Sequence, residues 1–160
     1  MKLKGGDIIC ESLLKEGVEV LFGYPGGAIL PLYDALWGYP QLHHVLVRHE
    51  ESAAHAADGY SRVTGKPGVC LATSGPGATN LVTGIMSAKA DSIPMVAITG
   101  QVARPMIGSE AFQECDICSI AAACTKMTYL VMSAQDLAPC LLNTSTSPRD
   151  ATLSRMPSSA

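Results

Sequence analysis

The chain has 160 residues, 48% hydrophobic and 16% charged, a balance that builds one core and excludes a disordered chain. Its net charge of −3, without a basic block, gives nucleic-acid binding no electrostatic support. No apolar run reaches the length of a membrane span, and the opening Met1–Asp7 lacks the apolar run of a signal peptide, so the expectation is a cytoplasmic protein whose partners include neither nucleic acid nor membrane.

Taken in chain order, Asp7 can cap a first helix that carries Ile9, Cys10, Leu13 and Leu14 on one stripe, and Gly17 stands where a terminating glycine belongs. Residues 18–22 read as a strand and 29–37 as a short helix. Residues 45–47 read as a second strand, followed by a helix over 51–63 that Gly65 ends. A third strand over 69–73 leads to a helix over 78–90 with Leu81, Ile85 and Ala88 on one face. Residues 95–99 are apolar nearly throughout, as in a strand covered on both faces. A helix near 116–124, a strand near 128–131 and a helix after Ser133 follow, with Ser133-x-x-Asp136 in the form of a capping box. The alternation predicts an α/β fold, a parallel sheet flanked by helices.

Ligands on such sheets bind outside the carboxyl ends of the strands. Three loops follow predicted strands: Gly23-Tyr24-Pro25-Gly26-Gly27, Arg48-His49-Glu50 and Ser74-Gly75-Pro76-Gly77. Turn formation alone accounts for any one of them; three together, beside Glu50, predict a site. Glu50 falls at a strand-to-helix junction, where a carboxylate can be buried, keep its proton longer and hand it to a bound cofactor. The plainer reading is a solvated carboxylate favoured by the helix dipole.

Other motifs carry less. Gly59 to Lys66 resembles a P-loop but has five residues between its glycines and Pro67 after the lysine. Gly75-Pro76-Gly77-Ala78-Thr79-Asn80 resembles a dinucleotide fingerprint with Asn80 in place of the last glycine, which keeps a nucleotide-binding module as a rival reading. Cys115-x-x-Cys118 has no second half for a zinc site, so the six cysteines are expected to pack as small hydrophobes. Asn143-Thr144-Ser145 is a sequon by letter only.

The segments GYPGGAILPLYDAL (23–36), RHEESAAHAADGYSR (48–62), TSGPGATN (73–80), DSIPMVAITGQV (91–102) and AFQE (111–114) together resemble the thiamine-diphosphate enzymes, and more narrowly the N-terminal pyrimidine-binding domain of acetolactate (acetohydroxyacid) synthase catalytic subunits, over about residues 5–140. The resemblance implies decarboxylation of pyruvate and condensation with a second 2-ketoacid, on the branched-chain amino-acid route to isoleucine and valine. It implies Glu50 as the catalytic glutamate that hydrogen-bonds N1′ of the cofactor's aminopyrimidine. It places Pro25, Gly26, Gly27, Thr73, Gly75, Pro76, Gly77 and Asn80 around thiamine diphosphate. Ala28 and Phe112 would line the substrate pocket, and Gln113 would both line it and reach the reacting centre. A homodimer, or pairing with an intact synthase subunit, would complete the site.

Departures from the family pattern shape the expectation. Glu51-Ser52 stands where the family has Gln-Gly, and Lys89 where it carries a neutral residue. After Cys140 the pattern gives way to a polar run rich in Ser, Thr and Pro. The expected organisation is therefore a domain over 1–142 lacking its closing strand and an unordered tail over 143–160, as in a truncated or frameshifted synthase. The domains that bind Mg²⁺ and FAD in the family would be absent, leaving the pyrimidine half of the thiamine diphosphate site and no activity in isolation. A non-catalytic partner that pairs with an intact subunit through Ala53, Ala57 and Ser61 is the other reading.

Overall fold

The computed structural model describes residues 3–144 and 152–157. In chain order the elements are α1 (Gly5–Lys15), β1 (Val20–Gly23), α2 (Leu30–Leu36), β2 (His43–Leu46), α3 (Glu50–Thr64), β3 (Gly68–Ala72), α4 (Pro76–Thr79), α5 (Val82–Ala90), β4 (Met95–Gln101), α6 (Ile117–Ala121), β5 (Met127–Leu130), α7 (Leu137–Thr144) and β6 (Thr152–Pro157). The strands form one sheet in the order β2-β1-β3-β4-β6-β5, and every neighbouring pair is parallel.

Alternation along the two central strands divides the core between the sheet faces. Leu71, Val96 and Ile98 join Ile9, Leu13, Leu32, Leu137 and Leu141 on the side of α1, α2 and α7. Cys70, Ala72, Met95 and Ala97 join Ala53, Ala54, Ala57, Leu81, Ile85 and Ile117 on the side of α3, α5 and α6. Both β3 and β4 are buried along their whole length, as a doubly covered parallel sheet requires.

The alanines of α3 answer a steric demand. A Cβ on Gly84 of α5 would fall 2.5 Å from the Ala54 Cβ, and one on Gly68 would strike the Ala57 carbonyl. Ala53 and Ala57 are 0% exposed, and the Ser61 hydroxyl donates to the Pro94 carbonyl at 2.8 Å. The small-residue face proposed for pairing with another subunit is thus buried inside this chain, which corrects that reading. Gly17 and Gly65 do end their helices, both at φ 71°. Asp7 lies inside the first turn of α1, where its carboxylate accepts from the Lys4 N–H, so Lys4 rather than Asp7 occupies the cap position.

The parallel α/β sheet flanked by helices is as the alternation predicts. Its last strand departs from the expectation of a sheet without a closing strand and an unordered tail from 143. Thr152–Pro157 is a strand, seated between β4 and β5, with Leu153 opposite both Ala97 and Thr128. The physical reason is that a ladder joins main-chain groups, so the open edges of β4 and β5 can be satisfied by a segment with little hydrophobic signature. Pro157 is the last residue of the strand, and without an N–H it cannot donate to a ladder. Residues 145–151 and 158–160 of the expected tail lie outside the described residues. Among the described residues no helix is long and apolar enough to cross a membrane.

Candidate active site at the sheet switch point

The chain runs from β1 to β2 on one side and returns to β3 on the other, so the strand order reverses at β1 and β3. Open parallel sheets bind ligands in the crevice that such a reversal leaves at the strand ends. Gly23 is level with Leu71 in the register, so the loops after β1 and β3 emerge side by side.

Thr73 ties those loops together. It is 7% exposed, and its Oγ1 accepts from the Ala28 N–H at 3.2 Å. A Cβ on Gly26 would lie 2.5 Å from the Thr73 Cβ, and one on Gly77 would lie 2.7 Å from the Thr73 Cγ2. The glycines at these two positions therefore serve close approach. Gly75 adopts φ 57°, and a Cβ there would strike the Gln113 carbonyl.

Glu50 enters from the other side. The Val47 N–H donates to the Gly23 carbonyl at 3.1 Å and holds the end of β2 beside β1. His49 then caps α3, its Nδ1 accepting from the Glu51 N–H at 3.2 Å. Glu50 is the first residue of the helix and only 8% exposed. Its Oε2 accepts from Asn80 Nδ2 at 3.0 Å. Its Oε1 faces Gly77, 3.1 Å from where a Cβ would stand, and has no hydrogen-bond partner among the described residues. One carboxylate oxygen is thus anchored and the other is available, above a floor that only glycine leaves open.

Asn80 owes its position to a tightened turn. The predicted helix over 78–90 divides into α4 and α5, and the Leu81 N–H donates to the Ala78 carbonyl, three residues back. Tyr33 stands behind the site. Its phenol meets His44 Nε2 at 3.1 Å and lies 2.6 Å from where a Cβ on Gly23 would be. Burial, and then the charge of Glu50, push the Tyr33 phenol well above its ordinary range. Nothing in the composition of 29–37 marks Tyr33 for this place, although it follows the Gly23–Gly27 loop by only six residues.

Of the residues singled out in the sequence, Glu50, Gly26, Ala28, Thr73, Gly75, Gly77, Asn80 and the Gln113 backbone are joined by these contacts. Pro25 is half-buried on the first loop. Gly27, Pro76 and Phe112 stand exposed on the rim, Phe112 at 88%. Glu51, beside Glu50, turns outward and lies 3.8 Å from His55.

A buried carboxylate at a helix start, with one oxygen anchored by Asn80 and the other facing Gly77, offers a hydrogen-bonding group to a neutral partner and repels an anion such as phosphate. Residues 3–120 match the family of the thiamine pyrophosphate enzyme, N-terminal TPP binding domain, and the chain belongs to that family. The curated relatives are narrower in kind. The chain is 57% identical over 136 residues to an acetolactate synthase of Mycobacterium bovis, covering 85% of this chain and 22% of that protein. It is 56% identical over 135 residues to the acetolactate synthase isozyme 2 large subunit of Escherichia coli K12, covering 84% and 24%. It is 54% identical over 136 residues to an acetolactate synthase large subunit of Haemophilus influenzae, covering 85% and 24%. The chain thus spans under a quarter of the length of these relatives.

Proposed function

We propose that this chain supplies the pyrimidine-binding half of a thiamine-diphosphate site in an acetolactate synthase. The observation that carries the reading is Glu50, with Oε2 held by Asn80 and Oε1 open toward Gly77. Bound at this site, thiamine diphosphate would supply the electron sink for decarboxylation of a 2-ketoacid such as pyruvate. The residues present fit its aminopyrimidine. Gly77 and Gly26 leave room for a flat ring, Thr73 fixes the distance between the two loops, and Glu50 presents its second oxygen as a hydrogen-bonding partner for a ring nitrogen. Asn80 keeps that carboxyl group turned inward.

The diphosphate end, with its Mg²⁺, and FAD require groups that these loops do not offer. They fall to other domains of a complete enzyme, and to a second subunit if the site is shared. On this reading the chain alone binds cofactor weakly and does not turn over 2-ketoacids. A nucleotide-binding module has less support, because the Glu50 carboxylate beside the Gly75–Gly77 turn would repel a pyrophosphate.

Titration of the full chain with thiamine diphosphate and with NAD, followed calorimetrically, tests this. Binding of the first, weakened about tenfold or more by Glu50→Gln, is expected; NAD binding without thiamine diphosphate binding overturns it. In a complete synthase carrying this sequence, Glu50→Gln should cut turnover by roughly 10²–10⁴, the scale of general acid–base roles.

A further inference from the structure

The loop after β4 is held in a form that short peptides avoid. Within seven residues Gly108, Glu110 and Gln113 all adopt left-handed backbone, at φ 84°, 56° and 60°. Two of these are not glycine, so the conformation needs support from elsewhere. The support is visible. The Glu114 carboxylate turns back into its own loop, where one oxygen accepts from the Gly108 N–H and the other from the Ala111 N–H at 3.1 Å. The N–H groups of Ser109 and Glu110 also face it, and together these donors hold the carboxyl group below its ordinary range. Successive main-chain N–H groups gathered in this way form an anion nest, and here the anion belongs to the same chain.

The loop then meets the site at one place. The Gln113 carbonyl and Cα lie against Gly75, so closely that a Cβ on Gly75 would strike them. Gly75 itself has φ 57°. Behind this contact, Gln101 on β4 steadies the base of the loop, its Nε2 donating to the Cys115 carbonyl at 3.4 Å.

We propose that Glu114 is a positioning residue, whose carboxylate gathers residues 108–114 and so presses the Gln113 backbone onto Gly75. The inference rests on the reading given above, in which Gln113 borders the reacting centre. The Glu114 carboxylate is engaged by the main chain of its own loop. It acts by fixing the wall of the pocket on the side of the Gly75–Gly77 turn.

The test uses the full chain without ligand, so that it reads the loop whether or not thiamine diphosphate binds. In NMR spectra, α-proton cross-peaks between Gly75 and Gln113 report the contact, and amide exchange at Gly108 and Ala111 reports the nest. Glu114→Ala is expected to abolish the cross-peaks and to speed exchange at both amides about tenfold, the worth of a charge-assisted hydrogen bond. Amides of β3 and β4 should stay protected. Glu114→Gln, which keeps one acceptor at the same reach, should restore part of both signals. Gly75→Ala gives the converse, losing the contact while the Gly108 and Ala111 amides stay protected. Retention of the Gly75–Gln113 cross-peaks in Glu114→Ala, or a Glu114→Gln chain no better than Glu114→Ala, would overturn the proposal. Failure of the chain to bind thiamine diphosphate would instead count against the functional reading alone.

Discussion

Asn80 Nδ2 donates to Glu50 Oε2 at 3.0 Å, joining the turn between α4 and α5 to the first residue of α3. The bond anchors one carboxylate oxygen and leaves the other without a hydrogen-bond partner among the described residues. Replacing Asn80 with Ala removes a donor from a buried carboxylate. The expected cost is about 1.5–3 kcal/mol of stability, read by urea unfolding, together with weaker thiamine diphosphate binding. Unchanged unfolding and binding would show that the bond orients nothing.

Gly77 and Thr73 provide a paired test. Gly77→Ala puts a methyl group 2.7 Å from Thr73 Cγ2 and 3.1 Å from Glu50 Oε1. Crowding of this kind costs ~1–3 kcal/mol. Thr73→Ser removes the methyl that the new Cβ meets while keeping the hydroxyl that accepts from Ala28. The double variant should therefore recover part of the stability lost in Gly77→Ala. Strict additivity in the cycle would mean that the two side chains do not share this space.

The thiols should separate into two classes. Burial pushes Cys10 and Cys70 up to about 12, whereas Cys115 and Cys118 are half-buried. A disulfide reagent at mildly alkaline pH should modify Cys115 and Cys118 in the folded chain and reach Cys10 and Cys70 only after unfolding. These two thiols stay protonated in the fold after their unfolded counterparts ionise. Their contribution is complete below the ordinary thiol value of about 9 and is lost as pH rises from there toward about 12. Early modification of Cys70 in the folded chain would contradict its burial.

Leu153 pairs with Ala97 on one side and Thr128 on the other. Leu153→Pro removes a main-chain donor in the middle of β6 and should detach β5 along with it. Amide exchange should then rise in Met127–Leu130 while α3 and β3 stay protected. Equal protection of β5 in this variant would show that the strand holds its place by other contacts.

Much of this arrangement could be read directly from the amino acids, and the rest fails for identifiable reasons. The alanine pattern and Gly65 bound α3 to within a residue or two, because close helix packing and a left-handed terminus each demand a particular residue type. The strand predicted over 45–47 instead runs over His43–Leu46, since pairing with β1, rather than side-chain character, sets its register. The periodicity predicts one helix where α4 and α5 divide, because turning Asn80 toward Glu50 leaves no trace in it. Thr152–Pro157 was unreadable as a strand because its place depends on two open ladders elsewhere in the chain. The site followed the same division. The two glycine loops and the Arg48-His49-Glu50 junction are legible as loops on one rim, whereas the Glu114 nest leaves only a faint signal, a glycine six residues before a carboxylate.

The order of strands in space differs from their order of synthesis. β5 leaves the ribosome before β6, yet among the described residues it joins the sheet through β6 alone. Until residues 152–157 are available, one edge of β4 stays open and β5 has no ladder to join. The four strands that carry the candidate site, β2-β1-β3-β4, can assemble first, while the far flank waits. During that interval the nascent chain exposes unpaired main chain on β4, an edge open to pairing with another chain.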